Sequence, residues 1–197
     1  MKQAGETEHL PKSSTLWIWR HPRARGAGGR CIGRTDLAVD PRKAKRLAHR
    51  IRQAARRQGL PHAVWVSPLQ RSAAVGAWLR RWGFAVQVDT RLQELDFGTW
   101  DGRRWADIAW AEVQAWEDDL LRHAPGGGES VLQLAARVRA FADEAHSAVV
   151  QPQPQPRLLV GHAGWINALL HVPPGTLHLA AADWPPPVPH GALRRWP

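Results

Sequence analysis

Leu16-Trp17-Ile18-Trp19-Arg20-His21 is a short apolar, β-prone run that stops at two polar residues. It reads as a buried strand with polar groups at its carboxyl end. Residues 22–36 hold Pro22, Gly26, Gly28, Gly29 and Gly33, a loop composition. Asp40-Pro41 supplies a helix N-cap followed by proline at the first helical position. From 42 to about 58, apolar residues at 44, 47, 48, 51, 54 and 55 keep helical spacing beneath a strongly basic outer face.

The strand–loop–helix pattern then repeats. Gly59-Leu60-Pro61 ends the first helix, and Ala63–Val66 reads as a second strand. Ser67-Pro68 opens a helix to about Trp82, with Gly83 as its stop. Phe84–Val88 reads as a third strand, and 91–102 as irregular. Residues 104–123 are expected to be one aromatic-rich helix, followed by a flexible loop at Pro125-Gly126-Gly127-Gly128. A long helix follows from Glu129 to about Val150, then an extended Gln-Pro connector at 151–156. Leu158–Val160 is a fourth strand ending at Gly161-His162, with a helix from Ala163 to Leu170. A Pro/Trp-rich tail, 173–197, carries an edge strand near 192–196 and is expected to wrap the sheet edge, with Trp184 or Trp196 beside the substrate mouth.

Strands alternating with helices imply an α/β fold: a three-layer αβα sandwich around a mostly parallel sheet. The 197 residues suit one domain over 15–197, after a leader at 1–14. In such sheets ligands bind beyond the carboxyl ends of the strands. Arg20-His21, Ser67 followed by Arg71, and Gly161-His162 are therefore expected to converge at one edge.

Composition narrows the function. The net charge is +10, and arginine greatly outnumbers lysine along the whole chain. Dispersed arginine suits an anionic small molecule better than nucleic acid, which calls for a clustered basic face. Arg23, Arg25 and Arg30 are expected to attract such anions without ordered contacts. A single cysteine, Cys31, excludes an internal disulfide and fits a reducing, cytoplasmic setting. No apolar run reaches the roughly 18 residues of a membrane helix. Twelve tryptophans stand without a tyrosine. Those at 100, 105, 110 and 116 are expected in one helical region, mostly as packing, with one or two free to stack on a flat substrate group. No HExxH pattern or cysteine cluster suggests a metal, and no cofactor is expected. Ser67 lies outside any nucleophile-elbow pattern. Monomer and homodimer are both open.

Two histidines and two arginines at strand ends can form a pocket for a tetrahedral dianion, because the arginine fork donates paired hydrogen bonds to phosphate oxygens. At this level the chain resembles the histidine phosphatase superfamily, also called phosphoglycerate mutase-like. Arg20-His21 is similar to its nucleophile motif, Gly33-Arg34-Thr35-Asp36 to the following loop, and Ser67-Pro68-Leu69-Gln70-Arg71-Ser72 to its second arginine motif. Leu92-Gln93-Glu94-Leu95-Asp96-Phe97-Gly98, with Trp100-Asp101-Gly102, resembles the acid motif. Gly127-Gly128-Glu129-Ser130 resembles the turn before the long helix, and Val160-Gly161-His162-Ala163-Gly164 the second-histidine motif. The Cys31-x-Gly33-Arg34-Thr35-Asp36 loop and the Glu94–Gly98 string look most like the α-ribazole phosphatase branch of cobalamin synthesis.

The resemblance implies a metal-independent phosphomonoesterase. His21 would be the nucleophile, kept neutral by neighbouring arginines. Arg20, Arg71 and His162 would hold the phosphoryl oxygens. Glu94 would be the general acid and base, with Asp96 as the competing acid; a bound dianion would raise its pKa. Arg34 and Thr35 are candidates for substrate contact, with an ion pair the alternative for Arg34. Asp36 is expected as a turn or cap residue, and Glu129 and Ser130 as helix caps. Pro22 departs from the family's usual glycine, or threonine in the α-ribazole branch, and offers no backbone N–H. The asparagine common in the following loop is absent from 22–36. A broad-range or phosphosugar phosphatase is the alternative within the fold. A non-catalytic protein binding phosphorylated ligands or nucleic acid is the alternative outside it.

Overall fold

Both faces of strand β1 (Leu16–Arg20) are buried, and that places it centrally. Its odd and even side chains go to opposite sides. Trp17 and Trp19 join one core with Leu47, Ile51, Val64, Val75 and Leu79. Leu16 and Ile18 join another with Leu134, Val138, Phe141, Leu159 and Trp165. The computed structural model describes residues 16–147 and 155–197, so the expected leader and most of the Gln-Pro connector lie outside the described residues.

The sheet adds β2 (Ala63–Val66), β3 (Ala85–Val88), β4 (Arg157–Gly161) and β5 (Leu193–Trp196) in the order β3-β2-β4-β1-β5. All neighbours pair parallel except β1 with β5, an antiparallel edge strand made by the tail. Helices α1 (Pro41–Gln58) and α2 (Gln70–Arg81) cover the first core; α4 (Val131–Ser147) and α5 (Ala163–His171) cover the second. The expected three-layer α/β architecture is present.

Local chemistry explains both ends of α1 and the start of α4. The Asp40 carboxylate accepts from the N–H of Arg42, and Gly59 closes α1 in the left-handed region. Ser130 and Gln133 cap α4 reciprocally, each side chain accepting from the other's N–H. Helix α2 starts at Gln70, three residues later than expected, and its cap is remote: the Gln70 N–H donates to Asp36 at 2.6 Å.

The expected helix over 104–123 is not there. A tight turn at Trp105–Asp107 is followed by a short α3 (Trp110–Asp118) with no buried residue. The backbone around 102–105 is drawn into pairing with residues 29–31: Gly102 N–H with Cys31 O, Cys31 N–H with Arg103 O, and Trp105 N–H with Gly29 O. Those groups cannot also serve a helix. The four tryptophans consequently diverge, from Trp100 at 2% exposure to Trp110 at 71%.

Candidate active site

Register places the two histidines side by side. Arg20 pairs with Gly161 across β1 and β4, so His21 and His162 leave adjacent strand ends together. Their rings lie 4.8 Å apart, and both are buried. The His21 N–H also donates to Gly161 O.

The hydrogen bonds define the tautomers. His21 Nδ1 is 2.7 Å from the Pro22 carbonyl, which can only accept, so Nδ1 carries the proton and Nε2 keeps its lone pair. Pro22 thus serves through its carbonyl, although it lacks an N–H. Burial first, then Arg71, Arg20 and His190, push the His21 pKa well below the ordinary histidine value; the Pro22 contact opposes this. Burial, His21 and three arginines do the same to His162. Both rings are neutral at physiological pH. His162 accepts from Arg71 Nε at Nδ1, so its Nε2 bears a hydrogen.

Arg71, in the first turn of α2, is 1% exposed. It donates to His162, to Thr35 O at 2.8 Å and to Gly33 O. Three of its five N–H groups are engaged, leaving two for a ligand. The loop that receives it is drawn together by Asp101, which accepts from the N–H groups of Gly33, Arg34 and Thr35 and from the Thr35 hydroxyl. Burial alone would raise the Asp101 pKa, but those hydrogen bonds outweigh it and hold the carboxyl below its usual range. A side chain on Gly33 would run into the backbone carbonyl of Leu95.

Glu94 reaches the cavity from another direction. Its carboxylate accepts from Gly164 and Trp165, two amides in the first turn of α5, and from Leu95. A Cβ on Gly164 would lie 2.6 Å from its Oε1, so any larger residue there would displace the carboxylate. Arg137 on α4 steadies the same loop, donating to the carbonyls of Arg91, Gln93 and Glu94 and to both oxygens of Glu129. Glu129 is therefore an ion-pair residue rather than a cap, whereas Ser130 does cap.

These groups bound a cavity of about 420 Å³. Arg20, His21, Arg71 and Glu94 supply polar groups to its lining, and Phe97, Trp105, Trp116 and Trp184 supply aromatic surface. Phe97 meets Trp105 and Trp116 edge-on at 6.1 and 5.8 Å. Among the described residues, three buried side-chain nitrogens have no partner: Arg20 Nε, Trp116 Nε1 and His162 Nε2. Each is a donor on a residue of this cavity or packed against His21. Native interiors leave few such groups unmatched, and an oxyanion offers the acceptors they lack.

The structure does not bring every expected residue here. Arg34 pairs with Asp96 at 3.2 Å and Glu129 at 3.8 Å, and Thr35 binds Asp101; neither lines the cavity. Asp96 is committed to Arg34 and the Gly98 N–H, which leaves Glu94 as the cavity carboxylate. Trp184 lines the mouth, whereas Trp196 packs under Arg139. His190 went unread in the sequence. Its Nδ1 donates to His21 O at 3.0 Å, and its ring lies 5.5 Å from that of His21. Gly191 N–H donates to Arg20 O, Arg20 N–H to Ala192 O, and the Arg20 guanidinium to Val188 O. Segment 188–192 thus clamps the Arg20-His21 dipeptide.

Two neutral histidines and two arginines gathered beyond the strand ends of an α/β sheet make a site suited to a tetrahedral oxyanion. The chain belongs to the histidine phosphatase superfamily, branch 1, whose model matches residues 16–182. It is 33% identical over 172 residues to a glucosyl-3-phosphoglycerate phosphatase of Mycobacterium tuberculosis, covering 78% of this chain and 75% of the relative. The native structure of a mycobacterial glucosyl-3-phosphoglycerate phosphatase superposes with a TM-score of 0.76 at 29% identity, covering 93% of this chain and 90% of that one. The α-ribazole phosphatase of Shigella flexneri shares the fold, with a TM-score of 0.71 at 22% identity over 92% of this chain and 89% of that one.

Proposed function

We propose that the chain is a metal-independent phosphomonoesterase working through a phosphohistidine. The observation that carries this is the meeting of a lone pair on His21 Nε2 with unmatched buried donors on Arg20 and His162. His21 Nε2 attacks phosphorus as the ester oxygen departs, and Glu94 protonates that oxygen. Water then attacks the phosphohistidine, gives its proton to Glu94, and releases phosphate with His21 neutral again. Arg20, Arg71 and His162 hold the non-bridging oxygens and match the charge of the transition state. Among the described residues, no three His, Cys, Asp or Glu side chains gather as a metal-holding group.

We assign the substrate to α-ribazole 5′-phosphate or a related cobalamin precursor in the cytoplasm. The Cys31–Asp36 and Glu94–Gly98 strings support this, as does the aromatic surface of the cavity lining, which suits a flat nitrogenous base. The sequence relatives named as glucosyl-3-phosphoglycerate phosphatases favour a second reading, a phosphosugar ester. Turnover of p-nitrophenyl phosphate in EDTA, with an acid-labile phosphate trapped on wild type and absent from His21→Ala, tests the chemistry. Full activity in that variant removes the nucleophile assignment. A panel of α-ribazole phosphate, sugar phosphates and glucosyl-3-phosphoglycerate decides the substrate. Salt-sensitive DNA binding with no ester turned over would favour a binding protein.

A further inference from the structure

The cations of α1 fall into two groups. Lys45 lies over Trp78 at 5.0 Å and Arg52 over Trp82 at 5.4 Å, so both have aromatic partners. Lys43, Arg46 and Arg50, spaced three and four residues apart, share another face. With Arg23 and His190 they wall a second concavity, of about 310 Å³, floored by Pro22, Leu47 and Gly191. No carboxylate lines it. Among the described residues, the side chains of Arg23, Lys43, Arg46 and Arg50 enter none of the ion pairs. Of these cations Lys43 lies in the first turn of α1, where the helix dipole disfavours positive charge, and the capping Asp40 carboxylate is not among the residues lining the concavity. A concave, unneutralised cluster of this kind lacks one component, an anion.

Its position identifies the kind of anion. Arg23 and His190 line both this concavity and the cavity of His21, and the His190 ring is 5.5 Å from the His21 ring. We propose that the concavity is a second anion subsite, which holds a phosphate-type group carried on the same substrate whose monoester is cleaved at His21. This rests on the phosphatase reading of the His21 cavity and, of the substrates proposed for it, favours a precursor bearing a second phosphoryl group over α-ribazole 5′-phosphate, which carries one. Arginine and lysine on an exposed helix face suit a solvated, multiply charged group that needs holding but no chemistry.

The test compares matched esters near physiological ionic strength, where long-range steering is screened. Adenosine 5′-monophosphate is set against adenosine 3′,5′-bisphosphate, and ribose 5-phosphate against ribulose 1,5-bisphosphate, with p-nitrophenyl phosphate as reference. The wild type is expected to favour at least one bisphosphate by about tenfold in kcat/KM. The triple variant Lys43→Ser, Arg46→Ser, Arg50→Ser is expected to lose that preference through KM, with p-nitrophenyl phosphate turnover unchanged. No preference in either pair overturns the proposal. An equal fall on every ester shows general attraction only and also overturns it. So does a response of p-nitrophenyl phosphate turnover to added pyrophosphate that vanishes in the variant without any bisphosphate preference, because the occupant is then a free anion. Binding to His21→Ala reads the subsite without turnover. The favoured bisphosphate should bind about tenfold tighter than its monophosphate, and equal binding sinks the proposal. Absence of turnover on all esters counts against the phosphatase reading instead.

Discussion

His190 holds the carbonyl of the proposed nucleophile, and its substitution separates that duty from chemistry at its other nitrogen. Asparagine places an amide N–H close to where Nδ1–H lies, whereas alanine places nothing there. His190→Asn should keep kcat within a few-fold of wild type, and His190→Ala should lose roughly tenfold in kcat with little change in KM, since a misplaced nucleophile costs rate more than binding. Glu94 gives a sharper test. Glu94→Gln should lower kcat by roughly 10²- to 10⁴-fold on an alkyl phosphate but far less on p-nitrophenyl phosphate, whose leaving group needs no proton. Asp96→Asn should leave both within a few-fold, as its carboxylate is paired with Arg34 outside the cavity. The opposite pattern would exchange their roles. At this scale the sequence was legible where cavity-facing residues sit in short motifs: His21, Arg71 and His162 just beyond strand ends, and Glu94 in the loop that follows β3. His190 was not legible, because nothing near Pro189 or Gly191 reports a partner some 170 residues away.

Helix α2 shows how an element and a side chain share one support. Its first amide is capped by Asp36, and Arg71 is its second residue. Asp36→Ala should cost about 1 kcal/mol in urea denaturation, the usual worth of a cap, and should weaken substrate binding through Arg71. Unchanged stability would mean that water replaces the carboxylate fully. The cap was foreseen as a role for Asp36, but not its helix, since the contact spans a sequence separation of 34. Units β1 to α2 were otherwise readable, because strand runs, apolar spacing and glycine stops are local signals. The helix expected over 104–123 failed for the converse reason: long-range pairing with residues 29–31 takes the backbone groups that local propensity assigns to a helix.

The molecule as a whole carries two neutral histidines in its interior, and this makes its stability depend on pH. In the unfolded chain each takes a proton near pH 6.5, whereas in the folded protein each does so only well below that value. Below about pH 6.5 the unfolded chain therefore binds protons that the folded one refuses. The contribution is fully present above that pH and is lost as pH falls towards the depressed folded values, by up to about 1.4 kcal/mol per histidine per pH unit. Urea midpoints should fall between pH 7.5 and 5, and His21→Asn should show a shallower fall. A flat wild-type profile would mean that neither histidine stays neutral in the fold. The three-layer architecture was readable from the alternation of strands and helices, and the polar part of the cavity lining from the residues just beyond the carboxyl ends of β1 and β2. The remainder depended on contacts between distant segments, above all the clamp of residues 188–192 on Arg20 and His21. A ribosome makes those two parts some 170 residues apart. However early the strands of the sheet assemble, the surroundings of His21 stay incomplete until residues 188–192 have emerged and docked, so the proposed nucleophile waits for the synthesis of some 170 further residues before it is held in place.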